Sequence, residues 1–222
     1  IGLIHDHKRF TLKNLKNLGV ESASSMMTVS IACMIAGIIV GAINVTGFGL
    51  KISGLVKILA GGNILLMGIL TAVVCILLGM GLPTTAAYIV LAVLIAPAIS
   101  GFGIPAIAVH MFILYFGALS SITPPVALSA FTAAGISGAG LWETGFESIK
   151  LAAAGFIVPF IFIYSPPLVM IGSAGEIILA SLTGAMASVM LGFALCGWFI
   201  KPILLPLRFL AIAGCMGLFI SG

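Results

Sequence analysis

The chain is 222 residues long, 62% hydrophobic and only 6% charged, against about 25% charged in soluble domains. With a mean hydropathy of +1.36, this excludes a water-soluble or a disordered chain and predicts an all-α polytopic membrane protein. The formal net charge of +4 does not point to nucleic acid, because the basic residues stand at the ends of apolar runs and no nucleic-acid motif is present.

The chain opens Ile1-Gly2-Leu3 without Met or a basic leader, so it is expected to be part of a longer polypeptide. Residues 1–23, with His5, Asp6, His7, Lys8, Arg9, Lys13, Lys16 and Glu21, read as a basic cytoplasmic segment. A first span follows over 24–48 and carries Gly37-Ile-Ile-Val-Gly41, a spacing that lets helices approach closely. Lys51 and Lys57 then flank a short apolar helix suited to the membrane interface.

From residue 58 to residue 142 there is no Asp, Glu, Lys or Arg. One charge at the centre of a lipid-exposed helix costs about 2.5–3.5 kcal/mol, so a tract of this kind belongs in hydrocarbon. Within it, residues 61–79 and 84–100 form two apolar arms around Gly79-Met-Gly-Leu-Pro-Thr-Thr85, and 104–119 and 124–136 form two more around Ser120-Ser-Ile-Thr-Pro-Pro125. The last arm is about 20 Å long as a helix, too short to cross alone.

Residues 138–150 read as an amphipathic connector with Trp142 at the headgroups. Spans are predicted over 151–171, 177–200 and 209–221, so that 24–171 forms one unit and 172–222 a transmembrane extension. If 104–136 is one interrupted span, Lys8, Arg9, Lys13, Lys16, Lys150, Lys201 and Arg208 all fall on one side. Two spans would divide the basic residues almost evenly, which the positive-inside rule disfavours.

A helix broken in lipid leaves amides and carbonyls unpaired, which is tolerated only where protein or water covers them. At the second break Thr123 can serve as N-cap with Pro124 as first helical residue, so the following amides would suit an anion. The carbonyls near Ala118 to Ser120, with the hydroxyls of Ser120, Ser121 and Thr123, would suit a small cation. The first break repeats the pattern with Pro83, Thr84 and Thr85. A plain kink or packing contact is the competing reading, since Gly and Pro are common in transmembrane helices. His110 is the sole His of the charge-free tract and is left without a role, and Cys33, Cys75, Cys196 and Cys215 show no metal-ligand spacing.

Longer stretches carry a family likeness. Gly47-Phe-Gly-Leu-Lys-Ile-Ser-Gly54, Ala60-Gly-Gly-Asn63, Leu78-Gly-Met-Gly-Leu-Pro-Thr-Thr-Ala-Ala-Tyr-Ile-Val90, Leu119-Ser-Ser-Ile-Thr-Pro-Pro-Val-Ala-Leu128 and Thr132-Ala-Ala-Gly-Ile136 resemble the second half of the large permease of tripartite ATP-independent periplasmic (TRAP) transporters, of the fused TAXI type. The resemblance implies one half of an inverted-repeat elevator, with a re-entrant hairpin at 61–100 and a broken helix at 104–136. It implies sodium-driven import of a small organic acid, a C4-dicarboxylate or an amino-acid-like carboxylate, in a bacterial or archaeal inner membrane.

The implied partners are a periplasmic solute-binding protein, a small membrane subunit or its fused equivalent, the amino-terminal half of the permease and the lipid bilayer. Carried onto this chain, Gly79, Thr84, Thr85, Ser120, Ser121 and Thr123 would form a sodium (Na+) site, with Thr85, Pro124 and Pro125 beside the substrate. A passive channel is the alternative function. An intramembrane hydrolase is disfavoured because His110 has no acidic partner within the tract. No enzymatic activity is expected.

Overall fold

The computed structural model describes residues 12–199, 201–202 and 204–221; the predicted basic cluster from His5 to Arg9 lies outside the described residues. Helix α1 (Leu12–Thr46) ends at Gly47, whose left-handed backbone (φ 63°) turns the chain into α2 (Phe48–Ala60). The two helices meet at a 73° bend, measured over Cys33–Thr46 and Phe48–Ala60. After Gly61 and Gly62 the side chain of Asn63 accepts the Leu66 amide at 3.1 Å and opens α3 (Ile64–Gly79). Helix α4 (Thr84–Ser100) and, after Pro105, α5 (Ala106–Leu119) complete the charge-free core.

A 3₁₀ turn at Ser120–Ile122 leads through irregular backbone to α6 (Leu128–Ser137), and α7 (Leu141–Leu151) follows. Helix α8 (Ala153–Tyr164) stops earlier than the predicted 171. Pro166 and Pro167 lack the amides that would continue it, and a second 3₁₀ turn (Pro166–Val169) takes its place.

Helix α9 (Ala174–Cys196) is opened by a capping box in which Ser173 and Glu176 bond each other's backbone amides. Glu176 therefore sits in the first turn of α9 and not in the loop before it. Gly197 closes α9, Trp198–Phe199 and Lys201–Pro202 pair as a minimal antiparallel ladder, and α10 (Leu205–Ser221) returns along α9.

Helix α9 is the one described helix long and apolar enough to cross a membrane alone. The bent pair of Cys33–Thr46 with Phe48–Ala60 could form a further, broken span, as could Leu141–Leu151 with Ala153–Tyr164, bent by 41°. The spacing of buried side chains explains the packing. On α4, Ala87, Leu91, Leu94, Ile95 and Ala98 recur at helical intervals and are buried against α1, α2, α3 and α5. Ser53 of α2 donates to the Leu94 carbonyl at 3.1 Å, and the Lys57 amine lies against Gly101, where a cation faces the negative end of α4.

Helix α5 is locked to α8 by Phe112, Phe116 and Phe160, whose ring centroids lie 4.8 to 5.7 Å apart in tilted and edge contacts. In contrast, Leu65, Ile69, Val73 and Leu77 form an exposed apolar stripe on α3. In water such a stripe would be a liability; against acyl chains it costs nothing.

Candidate functional site: two helix breaks in contact

The first break spans Met80–Pro83. The Met80 amide still reaches the Ile76 carbonyl, Leu82 bonds back to Gly79 at 3.2 Å, and Gly81 adopts a left-handed conformation (φ 80°). Pro83 then precedes α4, its carbonyl accepting the Ala87 amide at 2.9 Å. Thr84 and Thr85 occupy the first turn of α4, and both are exposed.

The second break is longer than the sequence reading predicts. Thr123 is extended (φ −98°, ψ 121°) and does not N-cap the following helix, Pro124–Pro125 is a cis bond, and Ala127 is left-handed (φ 37°) before α6 begins at Leu128. The physical reason is the proline pair. Pro124 pushes Thr123 out of the helical region, and neither proline has an amide to donate. Thr123 turns backwards instead, its hydroxyl donating to the Leu119 carbonyl at 2.7 Å. Ser120 donates to Gly117 and Ser121 to Ala118, both also at 2.7 Å. The carbonyls left over where α5 ends are thus covered by hydroxyls from the next four residues.

The two breaks touch. A Cβ on Gly79 would stand 2.7 Å from the Ser120 hydroxyl oxygen and 3.1 Å from its Cβ, so the end of α3 meets the end of α5 only because residue 79 has no side chain. Both residues are buried, Ser120 with 1% exposure. The structure therefore joins Gly79 to Ser120 and keeps Ser121 and Thr123 in the same segment, half-buried. Pro125 lies within the second break, and Thr84 and Thr85 follow the first break without a described side-chain hydrogen bond.

Helix α7, in the amphipathic connector of the sequence reading, packs against the second break, a contact that the sequence reading did not include. A Cβ on Gly145 would lie 3.0 Å from Pro124 and 3.3 Å from Phe131, and the Ser148 hydroxyl shares its proton between the carbonyls of Gly145 (2.7 Å) and Ile122 (2.9 Å). Ile122 lies inside the second break, so Ser148 supplies a donor that the broken helix cannot. We expect Ser148→Ala to cost about 1–2 kcal/mol, the range for stripping a half-buried carbonyl, while Ser148→Thr keeps most of it. Thermal melting of the detergent-solubilised protein reads the difference.

His110 also has a partner. Its Nδ1 is 3.0 Å from the Tyr88 hydroxyl, with the rings edge to face at 6.0 Å, which ties α5 to the first turns of α4. Among the described residues no group of three or more His, Cys, Asp or Glu could hold a metal ion. Any cation at the breaks would rest on neutral oxygens.

Neither the curated proteins nor the solved structures contain a match to this chain. A comparison with protein families matches residues 1–177 to the tripartite ATP-independent periplasmic transporter, DctM component. The match covers both breaks, the helices that carry them and the α7 segment that seals the second. With its apolar helices, this is a multi-pass membrane protein that belongs to the DctM family, the large permease component of TRAP transporters.

Proposed function

We propose that this chain is the carboxyl-terminal part of a sodium-coupled TRAP permease of the TAXI type, importing a small organic acid handed over by a periplasmic solute-binding protein. The amino-terminal half and a small or fused membrane subunit complete it, in the inner membrane of a bacterium or archaeon. In this reading residues 24–171 form the second repeat of an elevator, with 61–100 as the re-entrant hairpin and 104–136 as the interrupted helix, and 172–222 is an added extension.

The observation that carries the reading is the direct contact of Gly79 with Ser120, which brings two helix interruptions to one place in a tract without charges. Interrupted helices meeting within the bilayer are how secondary transporters bind ions without fixed charges. Hydroxyl and carbonyl oxygens from Gly79, Thr84, Thr85, Ser120, Ser121 and Thr123 are chemically suited to a hard cation such as sodium. The first-turn amides of α6, at Leu128, Ser129 and Ala130, precede any helical carbonyl they could bond and are suited to a carboxylate, with Thr85, Pro124 and Pro125 as its neighbours.

The test is sodium-driven uptake by the intact permease in liposomes with its solute-binding protein. Thr123→Val keeps the shape of the side chain and removes an oxygen. It is expected to raise the sodium concentration for half-maximal uptake by about tenfold or more, equivalent to about 1.4 kcal/mol. Uptake indifferent to sodium, or equilibration without accumulation against a gradient, would replace this reading with that of a passive channel.

A further inference from the structure

Beyond the family match, at the foot of the α9–α10 hairpin, Arg208 makes a contact that no transport reading uses. Its Nε donates to the Ala194 carbonyl at 2.7 Å and its Nη2 to the Leu195 carbonyl at 2.8 Å. One edge of the guanidinium thereby clamps two successive carbonyls at the end of α9, where the helix dipole is negative. Gly197 makes room for it: a Cβ there would lie 2.8 Å from the guanidinium carbon and from Nη1. The guanidinium group has five N–H donors, and the other edge, formed by Nη1 and the second Nη2 proton, has no hydrogen-bond partner among the described residues.

Arg208 also lines a cleft of about 270 Å³ whose other lining is apolar, from Ala194, Leu195, Leu205, Phe209 and Ile212. A cation facing an apolar cleft fits neither a soluble anion, which would leave the apolar wall wet, nor an acyl chain alone, which would leave the donors unpaired. The end of α9, the helix that can cross a bilayer alone, places the cleft at a membrane surface. Charge placement along the chain groups Arg208 with Lys150 on the predicted cytoplasmic side, where anionic lipids create a negative surface potential.

We propose that Arg208 and this cleft form a binding site for an anionic phospholipid of the cytoplasmic leaflet, the phosphate taking the outer guanidinium edge and the first acyl carbons lying over Leu205, Phe209 and Ile212. The planar fork suits phosphate better than an ammonium would. The hairpin would then be fastened to its bilayer by one lipid as well as by its own packing.

The purified intact permease, stripped of lipid by detergent exchange, tests the site by thermal melting with added phosphatidylglycerol, phosphatidylcholine or glycerol phosphate. Phosphatidylglycerol is expected to raise the melting temperature by about 3–6 °C, and the other two to leave it unchanged. Arg208→Gln should abolish the shift, and Gly197→Ala should reduce it by displacing the guanidinium. Should Arg208→Gln fail to fold, Arg208→Lys, which keeps the charge and loses the fork, is expected to retain less than half of the shift. Equal shifts with phosphatidylcholine or glycerol phosphate, or a full phosphatidylglycerol shift in Arg208→Gln or Arg208→Lys, would overturn the proposal. None of these readouts depends on transport, so they stand apart from the outcome of the sodium experiment.

Discussion

Gly79→Val is expected to lower uptake by about a hundredfold while leaving the protein in the membrane. Valine would place Cβ 2.7 Å from the Ser120 hydroxyl oxygen, with two further methyl groups beyond it, in a contact that already excludes water. Ser120 cannot step aside cheaply, because its hydroxyl is bonded to Gly117 at 2.7 Å and Gly117 itself would stand 3.6 Å from the new Cβ. The helix ends must separate. Overpacking of this kind costs about 1–3 kcal/mol, which a membrane-embedded fold can absorb, but a shift of about 1 Å in a set of positioned groups can cost a hundredfold in rate.

Gly81→Ala is the matched control. Gly81 is left-handed (φ 80°), but a Cβ added there would meet nothing within 4 Å, so alanine costs about 1–2 kcal/mol of backbone strain without pushing on the second break. If both variants lose uptake equally, the contact is not what matters. If Gly79→Val transports normally, the two breaks do not act together.

Gly145→Leu should produce the second largest effect, from the other side. Its Cβ would press on Pro124 at 3.0 Å and on Phe131 at 3.3 Å, lifting α7 off the irregular backbone and carrying the Ser148 hydroxyl away from the Ile122 carbonyl. The expected cost is about 2–4 kcal/mol, overpacking plus the lost hydrogen bond.

The mechanism has a signature in a double-mutant cycle. If Gly145→Leu has already broken the Ser148 bond, adding Ser148→Ala should cost almost nothing more, giving a coupling energy as large as the single Ser148→Ala loss, about 1–2 kcal/mol. Additive losses would mean that α7 stays seated and the leucine is accommodated elsewhere. Gly135→Leu serves as control, since residue 135 has open space around it.

How much of this could be read from the chain follows from which forces act locally. The helical, membrane-embedded class was legible because a tract without charges leaves lipid as the only compatible solvent. The positions of the interruptions were legible too, since Pro83, Pro124 and Pro125 lack the amide a helix needs, and Gly79 stands just before the first interruption and Gly81 within it. The form of the second interruption was not. A single proline after Thr123 reads as a helix start; two in succession delay the helix to Leu128, with Ala127 forced into left-handed backbone.

Contacts between distant segments left no local trace. Ser148 finds Ile122 across 26 residues, and Tyr88 finds His110 across 22. A serine in an amphipathic helix carries no mark that it will be committed to another helix's carbonyl. Gly145 was likewise silent, because a glycine chosen for closeness and one tolerated by chance look alike until the neighbour is known.

The hydroxyls of the second break have a consequence of their own. Ser120, Ser121 and Thr123 each donate their hydroxyl proton to a carbonyl one turn back, so what each oxygen has left is lone-pair density alone. A wall built this way is one-sided: it welcomes whatever is short of electrons and has nothing to give a species seeking a proton. On the proposed reading of a cation site, the direction in which three O–H bonds point would favour one sign of charge without any fixed charge.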